Sequence, residues 1–227
     1  MPRFIYFLYL IPLGMGAMIS LRTFRLAWPR PYRMFSLFLA GTFIMELLAI
    51  SWKLWLHQSV FWNYSKSNVW IYNIYYIPEY LFYFLFYYNV LGKKAINFKV
   101  FLFICSFYLL GSISNIFFIQ GIFQLDTYTI MAGNVGVLLF SLLYFKHELQ
   151  RATTSNVLKD SLFWISTGAF IFHTVSLPYF IFINYLSRAN LNLAIVLFNI
   201  LFVLNIIMHS MYLIAFLCSK PFQKKSI

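Results

Sequence analysis

Seven apolar stretches, each long enough to cross a membrane, follow one another along the chain with short connections between them. A helix needs about 20 mostly apolar residues to cross the roughly 30 Å hydrocarbon core of a bilayer. The predicted spans are residues 3–21, 34–56, 69–91, 98–120, 127–146, 160–185 and 190–218. The sequence therefore predicts an all-α, seven-transmembrane-helix bundle that forms one integral membrane domain over residues 1–227.

The composition excludes a soluble protein. Of the residues, 62% are hydrophobic and 10% are charged, whereas an ordinary soluble domain has about 25% charged residues. The net charge of +12 is spread between the apolar runs and does not form a stripe, so a nucleic-acid partner is not expected. The two cysteines lie at different predicted depths, so we expect no disulfide framework.

The distribution of lysine and arginine predicts the orientation, because positive charge is retained on the cytoplasmic side. Only Arg3, Lys53, Lys66 and Arg188 lie at the opposite face. The N-terminus is therefore expected outside and the C-terminus in the cytoplasm, as in a multi-pass protein of a bacterial inner membrane. Thirteen of the 17 basic residues lie in the first, third and fifth connections and the tail: Arg22, Arg25, Arg30, Arg33, Lys93, Lys94, Lys99, Lys146, Arg151, Lys159, Lys220, Lys224 and Lys225.

A weak internal similarity relates the second and sixth spans. Residues 36–38 and 41–46 resemble residues 161–163 and 168–173, and Asn73 of the third span matches Asn199 of the seventh at nearly the same offset. This order favours a parallel 3+1+3 repeat, in which spans one to three recur as spans five to seven. Chance similarity between phenylalanine-rich helices is the alternative. Parallel repeats place a pseudo-two-fold axis along the bilayer normal and a binding site near the midplane.

This plan resembles the three-plus-one-plus-three architecture of microbial rhodopsins and of SWEET and PQ-loop sugar transporters. The resemblance covers the topology of the whole chain and no diagnostic motif. Retinal proteins need a lysine in the last span, and here the first lysine is Lys220 at its cytoplasmic end. The Pro-Gln dipeptide of PQ-loop carriers is also absent. The resemblance therefore implies an architecture and no functional residues.

Ionisable side chains lie where lipid should exclude them. Glu46, Glu79 and His173 each fall about halfway along their spans, and His209 lies nearer the cytoplasm. Such residues usually face the bundle interior and mark a site. Under the repeat, Glu46 and His173 occupy equivalent positions across the pseudo-axis. We therefore expect the carboxylate and the imidazole to be hydrogen-bonding partners.

Polar side chains form stripes on two predicted spans. Residues 72, 76, 79, 83 and 87 follow helical steps on the third span, and residues 205, 209 and 212 do so on the seventh. Pro78 and Pro178 interrupt helices, as is tolerated beside a cavity. We expect a polar and aromatic ligand-binding pocket formed by Glu46, Asn73, Tyr76, Glu79, Tyr83, His173, Asn205, His209 and Tyr212. The alternative for Asn73, Asn134, Asn199 and Asn205 is hydrogen bonding between helices.

The expected function is a membrane sensor or receptor-like protein that binds a small ligand in this pocket and acts through a separate cytoplasmic signalling partner. A small-molecule transporter, proton-coupled through Glu46, Glu79 and His173, is the main alternative. An intramembrane metal-dependent hydrolase would use these residues with His209, and a haem would use the two histidines. The sequence has no HExxH motif, P-loop or GxGxxG, so it favours neither zinc-protease nor nucleotide chemistry.

Overall fold

The computed structural model describes residues 7–26, 28–56, 60–92, 95–150 and 157–218. Helices and irregular connections account for all of these residues, and the prediction of an all-α chain is confirmed for them. Short 3-10 turns lie at Val60–Asn63 and Val157–Lys159, and a π turn at Asn115–Ile119 continues the fifth helix. The helices are α1 (Leu10–Ser20), α2 (Arg22–Arg25), α3 (Arg30–Leu54), α4 (Val69–Leu91), α5 (Phe98–Ser114), α6 (Thr127–Gln150), α7 (Ser161–Ala189) and α8 (Leu191–Cys218).

Five helices are long and apolar enough to cross a membrane, which supports the membrane class. They are Arg30–Leu54, Phe98–Ile119, Thr127–Gln150, Ser161–Ala189 and Leu191–Cys218. Helix α1 has 11 residues, and the first part of its predicted span lies outside the described residues. Helix α4 has 23 residues, but its tyrosines and asparagines lower its mean hydropathy. The basic residues at 3, 93–94, 151 and 220–225 also lie outside the described residues.

Several helices are longer than the spans predicted from hydropathy. Helix α3 begins at Arg30, four residues before the predicted start, because Pro29 precedes it and a second proline in its first turn favours initiation. Helix α6 continues to Gln150 and α7 to Ala189. These extensions are polar or basic, so a search for apolar residues ends too early.

Single polar residues fix the ends of neighbouring helices. Asp160 caps α7 by accepting a hydrogen bond from the backbone N–H of Leu162 at 3.0 Å. The same carboxylate accepts hydrogen bonds of 3.5 Å from the hydroxyls of Tyr32 and Tyr144, which ties α3 and α6 to the start of α7. Asn190 alone separates α7 from α8, and its side chain accepts from Leu193 N–H at 3.1 Å.

The helices pack in a cyclic order. Helix α1 contacts α3, α3 contacts α4, α4 contacts α6, α6 contacts α7, α7 contacts α8, and α8 returns to α1. Helix α5 lies against α4 and α6. The first helix of each half of the chain therefore contacts the last helix of the other half, through the α1–α8 and α6–α4 pairs.

Helix α4 contributes most to the core. Tyr80, Tyr83, Phe84, Phe86 and Tyr87 are each at most 3% exposed. Opposite them, α6 has glycines where a side chain would collide. A Cβ atom added at position 133 would lie 2.3 Å from the Cγ atom of Tyr80, and one at position 136 would lie 2.5 Å from an edge carbon of Phe84. The two aromatic rings thus pack directly on the α6 backbone.

Candidate functional site

A buried hydrogen-bond network centred on Asn134 joins α4, α6 and α7. The Asn134 side-chain oxygen accepts a hydrogen bond from the Tyr80 hydroxyl at 2.8 Å and lies 2.7 Å from Nδ1 of His173. The Asn134 amide nitrogen donates to the Ser176 hydroxyl at 3.4 Å. Because an amide oxygen only accepts, Nδ1 of His173 donates this hydrogen bond, and in the neutral imidazole Nε2 is then unprotonated. That Nε2 atom is buried and has no hydrogen-bond partner among the described residues.

A pair of tyrosines connects this network to α8. The hydroxyls of Tyr83 and Tyr212 are 2.7 Å apart, and both side chains are 1% exposed. The Tyr83 ring meets the His173 imidazole edge to face, with 5.3 Å between ring centroids. The Tyr212 ring contacts His209 in the same way at 5.9 Å. Three of the predicted site residues, Tyr83, His173 and Tyr212, therefore lie together in the bundle centre.

Glu46 lies in a second place, with tyrosine partners. One oxygen of its carboxylate accepts hydrogen bonds from the Tyr9 hydroxyl at 2.6 Å and the Tyr72 hydroxyl at 2.8 Å. The Tyr9 ring also stacks on His209, with centroids 6.2 Å apart. Glu46 and His173 thus have different hydrogen-bond partners. The expected hydrogen bond between Glu46 and His173 is therefore wrong. Two tyrosines bond to the Glu46 carboxylate, and Asn134 bonds to the His173 imidazole.

Asn73 has a connecting role. Its side-chain nitrogen donates to the carbonyl oxygens of Ile122 at 2.8 Å and Gln124 at 2.5 Å, and its oxygen accepts from the Asp126 backbone N–H at 3.1 Å. These bonds hold the α5–α6 connection against α4. The interpretation of Asn73 as an interhelical hydrogen-bonding residue is the one that these contacts favour.

The connection also buries Asp126, which is fully enclosed. Its Oδ1 atom accepts from the Thr129 backbone N–H at 3.1 Å and from the side chain of Asn115, so it caps α6. Burial raises the pKa of the Asp126 carboxyl, although these two hydrogen bonds act in the opposite direction. The capping role was recognisable in the sequence, because an aspartate directly before a helical apolar run is a start signal.

The raised pKa of Asp126 predicts the pH dependence of stability. A carboxyl group whose pKa is higher in the folded than in the unfolded chain binds its proton more tightly when folded. Its contribution to stability is therefore full below its ordinary pKa of about 3.9 and is lost as pH rises through the folded value. We expect the Tm of the detergent-solubilised chain to fall as pH rises above the ordinary pKa of the carboxyl. Asp126→Asn should reduce the slope of Tm against pH.

The control for this prediction is Asn97→Ala, which removes the side-chain cap of α5 and no carboxyl group. It should leave the slope unchanged. Burial also raises the pKa of Asp160, so part of the slope remains in the Asp126 variant. A slope in Asp126→Asn equal to that of the unmodified chain would contradict the prediction.

Glu79 lies in a third place, on a groove between α3 and α4. The cavity has a volume of about 350 Å³, and its lining includes Glu79, Pro78, Thr42, Tyr75 and Gly41. The Thr42 and Tyr75 hydroxyls are 2.5 Å apart and join the two helices beside it. Neither Glu46 nor His173 lines this groove.

The remaining predicted residues have mostly packing contacts. Tyr76 stacks between Tyr72 and Tyr80, with centroid distances of 6.2 and 6.3 Å, and its carbonyl oxygen accepts from the Tyr108 hydroxyl at 3.4 Å. Asn205 donates to the carbonyl of Leu201 in its own helix at 3.3 Å. His209 is 4% exposed, and its Nδ1 atom has no hydrogen-bond partner in the described part.

The structure therefore divides the ionisable predicted residues among different places: His173 in the central network, Glu46 with Tyr9 and Tyr72, and Glu79 on the groove. Across residues 7–26, 28–56, 60–92, 95–150 and 157–218, no three histidine, cysteine or acidic side chains come close enough to hold a metal ion together. Sequence reasoning missed Tyr9 and Tyr80, because tyrosine is abundant throughout this chain. No protein-family model, curated protein or solved structure matches the sequence or the fold.

Proposed function

We propose that this chain is a seven-span sensor of the bacterial inner membrane, with its C-terminus in the cytoplasm, and that it binds a small amphiphilic ligand in the groove between α3 and α4. The separation of basic residues between the two faces supports the orientation. The cyclic helix order supports the 3+1+3 repeat, because the α1–α8 and α4–α6 contacts are equivalent under it.

The single observation that carries the ligand proposal is a carboxyl group in a groove near the middle of α4. Glu79 lies ten residues after the start of α4 and twelve before its end, hence roughly 15–18 Å from either end. Leu37, Gly41 and Pro78 of the groove lie on the outside of the bundle, on the side that a bilayer would cover. An acidic group at this depth is costly in lipid alone and marks a functional position.

The lining of the groove defines the ligand class. Most of its walls are apolar, and they surround the Glu79 carboxyl and the Thr42–Tyr75 hydroxyl pair. A carboxyl group binds cationic or hydrogen-bond-donating groups most strongly. We therefore assign the groove to an amphiphile with an amine or similar donor head group and an apolar body, which enters sideways from the bilayer.

The contacts of α4 provide a route from the groove to the rest of the bundle. Pro78 lacks the N–H that would bond to the preceding turn, so α4 is weakened next to Glu79. On the C-terminal side of Glu79, Tyr80 bonds to Asn134 of α6 and Tyr83 bonds to Tyr212 of α8. A ligand that separates α3 from α4 would shift these tyrosines. The cytoplasmic end of α8 follows six residues after Tyr212 and would pass the movement to a separate signalling partner.

The ligand proposal is tested with single-chain amphiphiles of equal length that carry an amine, an alcohol or a carboxylate head group. Binding is measured by native mass spectrometry and by the rise in Tm of the purified full chain. We expect the amine to bind best and Glu79→Gln to weaken it about tenfold, because the charge-assisted bond is lost. Gly41→Leu should block all three amphiphiles, since no atom lies within 4 Å of an added Cβ atom there and the side chain would fill the groove.

Two matched variants complete this test. Glu46→Gln removes the other carboxylate within the predicted spans, which already accepts hydrogen bonds from Tyr9 and Tyr72. This variant should leave amine binding unchanged. Gly111→Leu adds the same side chain at an exposed position of α5, where an added Cβ atom also meets nothing within 4 Å. Equal loss of amine binding in Glu46→Gln and Glu79→Gln would refute the assignment of the ligand to this groove.

Transport is the second candidate, because parallel repeats with equivalent interfaces are typical of carriers. The carboxylate of Glu46, held by two tyrosines, would then be the proton-coupling group. Uptake into proteoliposomes that responds to a pH gradient and disappears in Glu46→Gln would favour a carrier. A sensor shows no such uptake.

A further inference from the structure

A small cavity lies where the end of α1 and the short helix α2 meet the last turns of α8. Its volume is about 140 Å³. Three polar side chains contribute to its wall, those of Arg22, Thr23 and Trp28, together with apolar side chains that include Leu26 and Phe216. Among the residues that the structure describes, no acidic one lines it. The described wall therefore combines a cation with neutral donors.

Two buried donors in this wall are unused. Thr23 is 1% exposed and Trp28 is 7% exposed. The Thr23 hydroxyl and the Trp28 indole N–H have no hydrogen-bond partner among the described residues. Buried donors of this kind are nearly always paired in folded proteins. The residues of this wall thus carry buried donor groups that a ligand with acceptor oxygens would satisfy.

The indole is held in place by its neighbours. The Trp28 ring stacks on Phe216 of α8, with 6.2 Å between centroids, and meets Tyr32 edge to face at 5.3 Å. An indole fixed by two rings binds a ligand without losing much side-chain freedom. Arg22 is exposed and lines the cavity, and a guanidinium group can pair with two oxygens of one phosphate group.

We propose that this cavity binds the phosphate of an anionic phospholipid of the cytoplasmic leaflet. The polar groups take the phosphate oxygens, and the apolar wall at Leu26 and Phe216 takes the upper part of an acyl chain. The leaflet assignment rests on the proposed orientation, which places the ends of α1 and α8 at the cytoplasmic head groups. The site is separate from the Glu79 groove, so lipid binding here does not depend on the ligand proposed for that groove.

The test uses the purified full chain in detergent with phosphatidylglycerol, phosphatidylcholine of the same acyl chains, or inorganic phosphate. Native mass spectrometry measures binding, and Tm measures protection. We expect phosphatidylglycerol to bind best and Arg22→Gln to weaken it about tenfold, as for a lost charge-assisted bond. Thr23→Val keeps the shape of the wall and removes the hydroxyl, whereas Trp28→Phe keeps an aromatic ring and removes the N–H; each should weaken binding about threefold to tenfold.

Arg25→Gln is the matched control, because it removes the same charge from the same four-residue helix at a position that does not line the cavity. It should leave binding nearly unchanged. An equal loss in Arg22→Gln and Arg25→Gln would overturn the proposal in favour of diffuse attraction. Equal protection by inorganic phosphate, or equal binding of phosphatidylcholine, would overturn the assignment to an anionic lipid.

Binding in detergent does not depend on orientation, so the orientation is checked separately. Cys218 is exposed at the end of α8. In the Cys105→Ser background, a membrane-impermeant maleimide should label Cys218 in opened cells and leave it unlabelled in intact cells. Labelling in intact cells would refute the cytoplasmic leaflet while leaving lipid binding in detergent intact.

Discussion

Asn134→Ala is expected to lower the free energy of unfolding by about 2–3 kcal/mol, because it leaves the Tyr80 hydroxyl and the His173 Nδ1–H buried without an acceptor. Both groups are in the protein interior, away from bulk water. The Tm of the purified chain in detergent measures the effect. His173 should also lose its preference for the Nδ1 proton, which NMR of ¹⁵N-labelled histidine detects directly.

Asn205→Ala is the matched control for that experiment. Asn205 is half-buried, and its amide donates to a carbonyl oxygen of its own helix at 3.3 Å. Its loss should cost less than about 1 kcal/mol. Equal effects of the two alanine variants would mean that the bonds to Asn134 contribute nothing specific to stability.

Gly133→Ala is expected to destabilise the chain by about 2–3 kcal/mol, because the added Cβ atom would lie within 2.5 Å of three atoms of the Tyr80 ring. The nearest of them is Cγ, close to the backbone, so the ring cannot swing aside cheaply. Moving it also withdraws the hydroxyl from Asn134. The Tm again measures the loss, and the near-ultraviolet circular dichroism of the tyrosines should change with it.

Gly111→Ala provides the comparison, because an added Cβ atom at this position of α5 has no neighbour within 4 Å. The alanine should increase stability by up to about 1 kcal/mol through its higher helix propensity. The two substitutions are chemically identical and should have opposite signs. Combining Gly133→Ala with Asn134→Ala should cost less than the sum of the two, since both act through Tyr80. A neutral Gly133→Ala would contradict the close packing of α4 on α6.

The helices were predictable because lipid imposes a length and a composition on each of them. The bounds of α4 agree with the prediction at both ends, since Asn68 and Gly92 flank a mostly apolar and aromatic run. The ends of α3, α6 and α7 were missed where polar or basic residues extend a helix past the apolar region. The low hydropathy of those residues ends a predicted span even where the helix continues. The proline before α3, in contrast, was a usable signal for the start of that helix.

The site was predictable only in part. Depth along a span can be read from the sequence, so Glu79 and His173 were recognised as unusual. The partners of each group depend on how the helices are rotated, which one sequence does not fix. Tyr9 and Asn134 therefore took the places expected for direct contact between Glu46 and His173. The cavity lined by Arg22, Thr23 and Trp28 was missed because the predicted orientation already accounted for a basic residue at position 22.

The tyrosines of α4 also bear on how the chain enters the membrane. A segment with this many hydroxyls partitions poorly into lipid by itself, and three of its hydroxyls, those of Tyr80, Tyr83 and Tyr87, bond to residues that are synthesised later, on α6 and α8. During translation, α4 therefore cannot complete its hydrogen bonding until the second half of the chain has emerged. We expect its insertion to be delayed, with the translocation machinery or the flanking helices sheltering it until Asn134 and Tyr212 arrive.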